Sequence, residues 1–370
     1  VLANGELFWI IDAYTTTSKF PYSEPFSSVE QQEVQQLDYD RSMHQRVKSH
    51  LRSKNYIRNS VKVVVNAYSG ETNFYIYETD DPLIQVYQNI FPALFKKKSA
   101  MPGELQKHVR YPIDMLLVQG LVYAKYHMTD PTVFYNQEDL WVRATEKYYN
   151  KVQPVEPYYI MWEPPGTDQM EFILMLPFTP KNKQVMIGWI AGMCDNENYN
   201  RFLAYKFPKE KRVLGPQQVE TKIDQDSFLS GQLTLWDQRG SNVIRGNVLA
   251  IPIDRTIIYI EPIYLQSETA AYPELRLVAV MHDDKLSYAD NFEEALEGIF
   301  SGQPPLVAGE DRAPEFTGRE PMQEVINRAN TAFENYLQYM QQKQFEDAAS
   351  ALRDLESALN ELSDKGRSKE

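Results

Sequence analysis

The chain has 370 residues, with 51 Asp and Glu against 38 Lys and Arg, and a net charge of −13. That balance disfavours nucleic acid, which is bound through a basic face. No run approaches the ~20 apolar residues of a membrane-spanning helix, and a single cysteine, Cys194, excludes an internal disulfide or a cysteine-pair zinc site.

The start at Val1, with strand formers already under way by Leu7, reads as a piece of a longer protein. Leu7–Tyr14 predicts a buried strand. Ser27–Ser53 is polar and weakly periodic, a loosely packed insertion or a lid. Val61, Val63 and Val65 alternate, Ser69-Gly70 turns, and Phe74–Tyr77 returns, which predicts a β-hairpin. Asp81-Pro82 starts a helix that stops near Phe91-Pro92, since Pro suits a first helical position. The run Lys96-Lys97-Lys98 reads as a solvated loop tip.

Tyr111–Met128 predicts a helix, and Asp130-Pro131 caps the next one. Glu156–Trp162 and Glu171–Leu176 predict paired strands. Asn182–Met193 reads as a helix, Asn200–Phe207 and Arg212–Leu214 as extended pieces, and Asp224–Trp236 as one helix. Val243–Ile251, Thr256–Tyr264 and Leu275–Met281 predict strands, and Phe292–Ile299 a closing helix. The expected fold is α+β: a body over 1–300 with a mixed, largely antiparallel sheet and a subdomain break near 150–165. A Pro- and Gly-rich linker follows over 301–320. Apolar stripes over 321–364 predict a C-terminal α-helical hairpin.

Motifs for phosphate loops, serine nucleophiles and zinc helices are absent, and no metal or cofactor is expected. Of the five histidines, His127, near Asp130, is the best acid/base candidate. Asp224 and Asp226 read as helix caps, and His282-Asp283-Asp284 as a solvated turn. The densest polar-aromatic set is Asp12, Tyr14, Tyr22 and Glu24 after the first strand, with Glu261 and Tyr264 ending a late one. Trp236 lies between them in sequence, and Arg58, Arg239 and Arg245 supply cations. Carboxylates beside aromatic faces suit sugar-like ligands, and a free carboxylate pair can act as general acid and base. If the arginines neutralise the acids in a packed interior, the set is structural.

Several runs carry a resemblance: Phe8-Trp9-Ile10-Ile11-Asp12-Ala13-Tyr14, Pro21-Tyr22-Ser23-Glu24-Pro25-Phe26, Asn55-Tyr56-Ile57-Arg58-Asn59-Ser60, Tyr126-His127-Met128-Thr129-Asp130-Pro131, Met175-Leu176-Pro177-Phe178 and Tyr259-Ile260-Glu261-Pro262. From about Leu7 to Phe300 they resemble the large soluble region of bacterial and cyanobacterial multi-pass membrane proteins, uncharacterised protein family 182. The resemblance implies a preceding block of about seven transmembrane helices, an odd count that puts this region outside the cytoplasm when the N-terminus is inside. It implies no catalytic residues. The expected partners are the membrane portion of the same polypeptide and an envelope protein, lipid or glycan, with the hairpin as a route to oligomers. The expected role is an extracytoplasmic binding or assembly domain at the cell membrane. The alternative is a carboxylate-dependent enzyme acting on an envelope carbohydrate or lipid-linked substrate.

Overall fold

The computed structural model describes residues 1–26, 51, 53–148, 151–164, 169–195, 197–208, 210–237, 241–253, 256–267 and 272–301, with scattered helical positions from Thr331 to Ser357. The chain divides into two compact units, Val1–Ala308 and Gly309–Glu370. Of the expected hairpin over 321–364 only those scattered helical positions are described, and the insertion over Ser27–Ser53 lies outside the described residues except for Leu51 and Ser53. The first unit is α+β, and its sheets are mostly antiparallel.

The first sheet runs β1 (Leu2–Ala3), β2 (Glu6–Thr17), β3 (Tyr56–Asn66), β4 (Thr72–Ile76) and β5 (Phe95–Lys97) in chain order, antiparallel except for the β4–β5 pair. The expected hairpin is β3–β4, and Gly70 in its turn takes φ +71, which a Cβ would disfavour. The lysine run is not a loop tip: Lys96 and Lys97 lie in β5. Helix α1 (Pro82–Ile90) starts where Asp81 accepts hydrogen bonds from Leu83 N and Ile84 N, with Pro at its first turn. The same buried carboxylate accepts from Thr15, Tyr56 and Ser60, so one side chain ties α1 to β2 and β3.

After α2 (Gly103–Gln106), α3 (Ile113–Tyr126) and α4 (Pro131–Asn136) come β6 (Trp141–Arg143), the β7–β8 pair (Thr145–Tyr148, Lys151–Pro154), β9 (Tyr158–Trp162) and β10 (Glu171–Pro180). Asp130 caps α4 as expected. β10 pairs with β6 and β9 along different stretches, and with β12 (Gly188–Met193), which pairs β13 (Phe202–Lys206). Short β11 (Val185–Met186) pairs β14 (Val213–Leu214).

The expected helix over Asn182–Met193 is therefore two strands. β12 is buried at every position, because α3 packs one sheet face and residues such as Leu249 and Ile251 meet the other. A run apolar on both faces carries no period, so a strand cannot be told from a helix by pattern. Its two glycines held the better signal. A Cβ on Gly188 would stand 2.4 Å from the Tyr205 carbonyl oxygen, and one on Gly192 would stand 2.3–2.6 Å from Tyr111 ring atoms. Since Tyr111 is 3% exposed and hemmed in, Gly192→Ala is expected to destabilise the fold by about 1–3 kcal/mol through overpacking. Thermal unfolding of the variant checks this; an unchanged midpoint contradicts it.

The expected single helix over Asp224–Trp236 breaks into α5 (Pro216–Gln225) and α6 (Ser227–Trp236), because Asp226 leaves helical geometry to cap the second. The expected strand over Val243–Ile251 likewise splits into β15 (Ser241–Arg245) and β16 (Leu249–Ile253), both paired with β17 (Thr256–Ser267). Gly246 marks the break, where a Cβ would stand 2.7 Å from the Pro262 ring. β18 (Glu274–His282) and β19 (Lys285–Ala289) complete this third sheet. α5 and α6 supply Val219, Ile223 and Leu229 to one core; α7 (Phe292–Ser301) supplies Ala295 and Ile299 to another, against Val278 and Val280.

Candidate functional site

The nominated residues fall into separate neighbourhoods. Asp12 and Tyr14 lie on β2 in the first sheet, whereas Arg245, Glu261 and Tyr264 lie on β15 and β17 in the third. Arg239 lies outside the described residues.

Arg245 and Glu261 form the most buried group. Arg245 Nη2 donates to Glu261 Oε2 at 2.8 Å and Nε donates to Oε1, a bidentate fork, while Nη1 donates to Asp224 Oδ1 at 2.5 Å. Lys147 Nζ closes the network on Asp224 Oδ2 at 2.6 Å. The Glu261 side chain is fully buried. Burial opposes the guanidinium charge, but Glu261 and Asp224 outweigh it and hold Arg245 firmly protonated. Asp224 thus works as an ion-pair hub, not as the cap its spacing suggested. Tyr264 is half-buried in register with Ile244. Trp236, half-buried at the end of α6, carries the Arg276 guanidinium 5.4 Å from its ring centre.

Two carboxyls missed by sequence reasoning flank this network. Glu220 on α5 accepts the Lys147 backbone N–H through both oxygens at 2.8 Å, and Glu146 on β7 accepts from Val248 N at 3.1 Å. Burial, reinforced by Glu261, pushes Glu220 up to about 8; burial also pushes Glu146 up to about 7. Nothing local in the sequence separates them from surface glutamates.

On the first sheet, Asp12 forms an ion pair with the ammonium of Lys62, whose side chain is fully buried. Lys62 also donates to Asn59 Oδ1 at 2.8 Å and lies 5.3 and 5.9 Å from the ring centres of Tyr199 and Tyr77. Burial lowers the lysine's pKa against the opposing pull of Asp12. Tyr14 belongs to the surrounding cluster: burial and then the Asp12 charge raise its phenol, and burial pushes Tyr159 up to about 12. A lysine in the middle of the valine run 61–65 was the available signal for this pair.

Tyr22 and Glu24 share a third neighbourhood. A pocket of about 280 Å³ opens beside α3, walled by Phe26, Leu51, Ile57, Val118 and Val122, with Tyr22, Glu24, Lys54, Asn55, Tyr56 and Tyr126 supplying polar atoms. Tyr22 is fully exposed and takes φ +57. Glu24 accepts from the Tyr126 hydroxyl and, at 3.2 Å, from Lys125 Nζ. The Glu24 hydrogen bond, then burial, pushes Tyr126 up to about 12.

His127 caps the end of α3, stacks on Tyr123 and lies tilted against Trp141, ring centres 4.4 Å apart. Its Nδ1 bonds the Tyr123 carbonyl at 2.9 Å, its Nε2 lies 3.6 Å from Asp139 Oδ2, and its side chain is 2% exposed. Arg58 lies 3.7 Å from Glu78, on the surface. Among the described residues no cluster of His, Cys, Asp or Glu is arranged to hold a metal ion, and no helix is long and apolar enough to cross a membrane.

A family model described as an uncharacterised protein family (UPF0182) matches residues 1–236. UPF0182 proteins of Pelotomaculum thermopropionicum, Desulforamulus reducens and Trichodesmium erythraeum are 44%, 46% and 41% identical over 355, 330 and 366 residues, covering 96%, 85% and 95% of this chain. The chain spans only 36%, 33% and 39% of those relatives. No solved structure matches it. With a model covering more than half its length and relatives matching nearly all of it, the chain belongs to the uncharacterised protein family UPF0182.

Proposed function

We propose that this chain is the extracytoplasmic binding or assembly module of a multi-pass membrane protein, and that its ligand is a small amphiphile held in the pocket beside α3. The pairing of the nominated acids carries the preference for binding over hydrolysis. Carboxylate catalysis needs one acid positioned to give a proton and another free to act as base or nucleophile. Here Glu261 is clamped by Arg245, Asp12 by Lys62 and Glu24 by Lys125 and Tyr126. The pocket instead pairs apolar walls with a few convergent polar groups, the usual make-up of a ligand site, and is slightly smaller than the usual range.

The membrane setting is supported by length and resemblance: about two thirds of each relative lies beyond the part matched here. The test uses the parent polypeptide in its own membrane, with other accessible thiols removed and a cysteine placed at Tyr68, an exposed turn residue. Labelling by a membrane-impermeant maleimide in intact spheroplasts is the expected result. Labelling only after permeabilisation overturns the topology. A small amphiphile is expected to co-purify with the parent protein and to be lost when Val118→Trp fills the pocket; equal recovery from both overturns the ligand assignment.

A further inference from the structure

The pocket beside α3 carries one charge that its walls leave unanswered. Most of its other polar groups are already engaged. Glu24 accepts from Lys125 Nζ at 3.2 Å and from the Tyr126 hydroxyl. Tyr56 donates to Asp81 Oδ1 at 2.6 Å. Asn55 commits its whole amide to the loop before it: Nδ2 donates to Phe20 O at 2.8 Å and Ser23 O at 3.1 Å, and Oδ1 accepts from Phe20 N at 3.1 Å. Ser23 Oγ returns a bond to Asn55 O at 2.7 Å. Lys54 lines the same pocket and is half-buried. Among the described residues nothing pairs with its ammonium, or with the hydroxyl of fully exposed Tyr22.

The lysine is held in place by its main chain. Lys54 N donates to Leu51 O, and Lys54 O accepts from Phe26 N, both at 2.9 Å. Phe26 and Leu51 pack with Val118 in one apolar cluster. Lys54 is thus tied to two of the pocket's apolar walls, and a lysine stem lies along such surface while its head keeps to polar surroundings.

We infer that the amphiphile held here is a single short alkyl chain ending in a compact anion, a carboxylate or a phosphate, with Lys54 on the anion. The inference rests on the pocket reading given above and narrows it. The apolar walls take the chain, and a volume of about 280 Å³ suits one short chain better than the two of a membrane lipid. A cationic head would face Lys54 with Glu24 already taken. An uncharged head would cover the ammonium without answering its charge. The net charge of −13 does not decide the matter, because exposed charges beyond about 8 Å are largely screened at physiological salt and the nearest ammonium dominates.

The test titrates the full 370-residue chain, stripped of bound lipid, with octanoate, octyl phosphate, octanol and octyltrimethylammonium in a calorimeter. Both anions are expected to bind about fivefold more tightly than octanol, a modest factor because Lys54 is only half-buried. The cation binds most weakly, and the preference for anions shrinks as salt rises. The tighter anion gives the source: octanoate points to a free fatty acid, octyl phosphate to a lipid phosphate. Lys54→Met keeps an apolar stem and both main-chain bonds. It should bring the anions down to the affinity of octanol, leave octanol itself unchanged, and leave the thermal midpoint where it was. Octanol binding as tightly as the anions, or an anion preference that survives Lys54→Met, overturns the inference and leaves the pocket standing. No binding by any of the four, or binding untouched by Val118→Trp, overturns the pocket reading and this inference with it.

Discussion

Arg245→Leu is expected to destabilise the first unit by about 3–5 kcal/mol, because it strands the fully buried Glu261 without its bidentate partner. The loss is a penalty for the remaining carboxylate more than a measure of the pair's own contribution. Arg245→Leu with Glu261→Leu is therefore expected to recover most of it, since an apolar pair of similar volume often replaces a buried ion pair at little cost. Asp224 keeps Lys147 in either variant and needs no second rescue. Denaturant unfolding of the two single variants and the double variant gives the coupling directly. If the double variant is as unstable as the sum of the singles, Glu261 was not the stranded group.

Stability is expected to fall as pH rises from about 4.5 to 8, the reverse of the trend set by ordinary paired carboxylates. Burial holds Glu146 up at about 7 and Glu220 at about 8, from an ordinary 4.5. Below pH 4.5 both are protonated whether the chain is folded or not, and neither contributes. Above it the unfolded chain releases the protons while the folded chain keeps them, so the unfolded state binds fewer protons and stability declines. Glu146 alone accounts for about 3 kcal/mol across that interval. Asp81 and Asp224 act with the opposite sign: hydrogen bonds, and for Asp224 cations, overcome burial and hold their carboxyls below 3.8. Their contribution is present above that value and is lost as pH falls through the folded pKa values. Glu146→Gln keeps an acceptor for Val248 N–H and removes the titration. It should gain about 2–3 kcal/mol over the parent at pH 8 and nothing at pH 4.5. Parallel stability curves for the two proteins would show that Glu146 does not titrate in this range.

Elements with local chemistry were legible in the sequence. Asp81-Pro82 and Asp130-Pro131 carry their helix starts in two residues, and Ser69-Gly70 fixes a hairpin because Gly70 needs positive φ. Elements defined by what covers them were not. β12 is buried on both faces, so its apolar run has no period to read. Asp226 interrupts what looks like one helix, because a side chain that can cap competes with the helix backbone.

The candidate site failed in a related way. Asp12 and Glu261 both follow aromatic strand residues, yet topology sends them to different sheets, and no short pattern encodes which strands become neighbours. The cation partner of one acid was legible and that of the other was not. Arg245 was nominated and does pair with Glu261, but Lys62, which pairs with Asp12, was not.

Asp81 has a mechanical consequence. It fastens one end of α1 to two strands, while the stretch from Gln85 to Leu94 is exposed at every position. Ile84 adds apolar contact at the same end, and beyond the far end Phe95 returns the chain to the sheet in β5. Loss of the Asp81 carboxylate would release the start of α1 from both strands at once, while β5 still anchors the chain beyond its far end to β4.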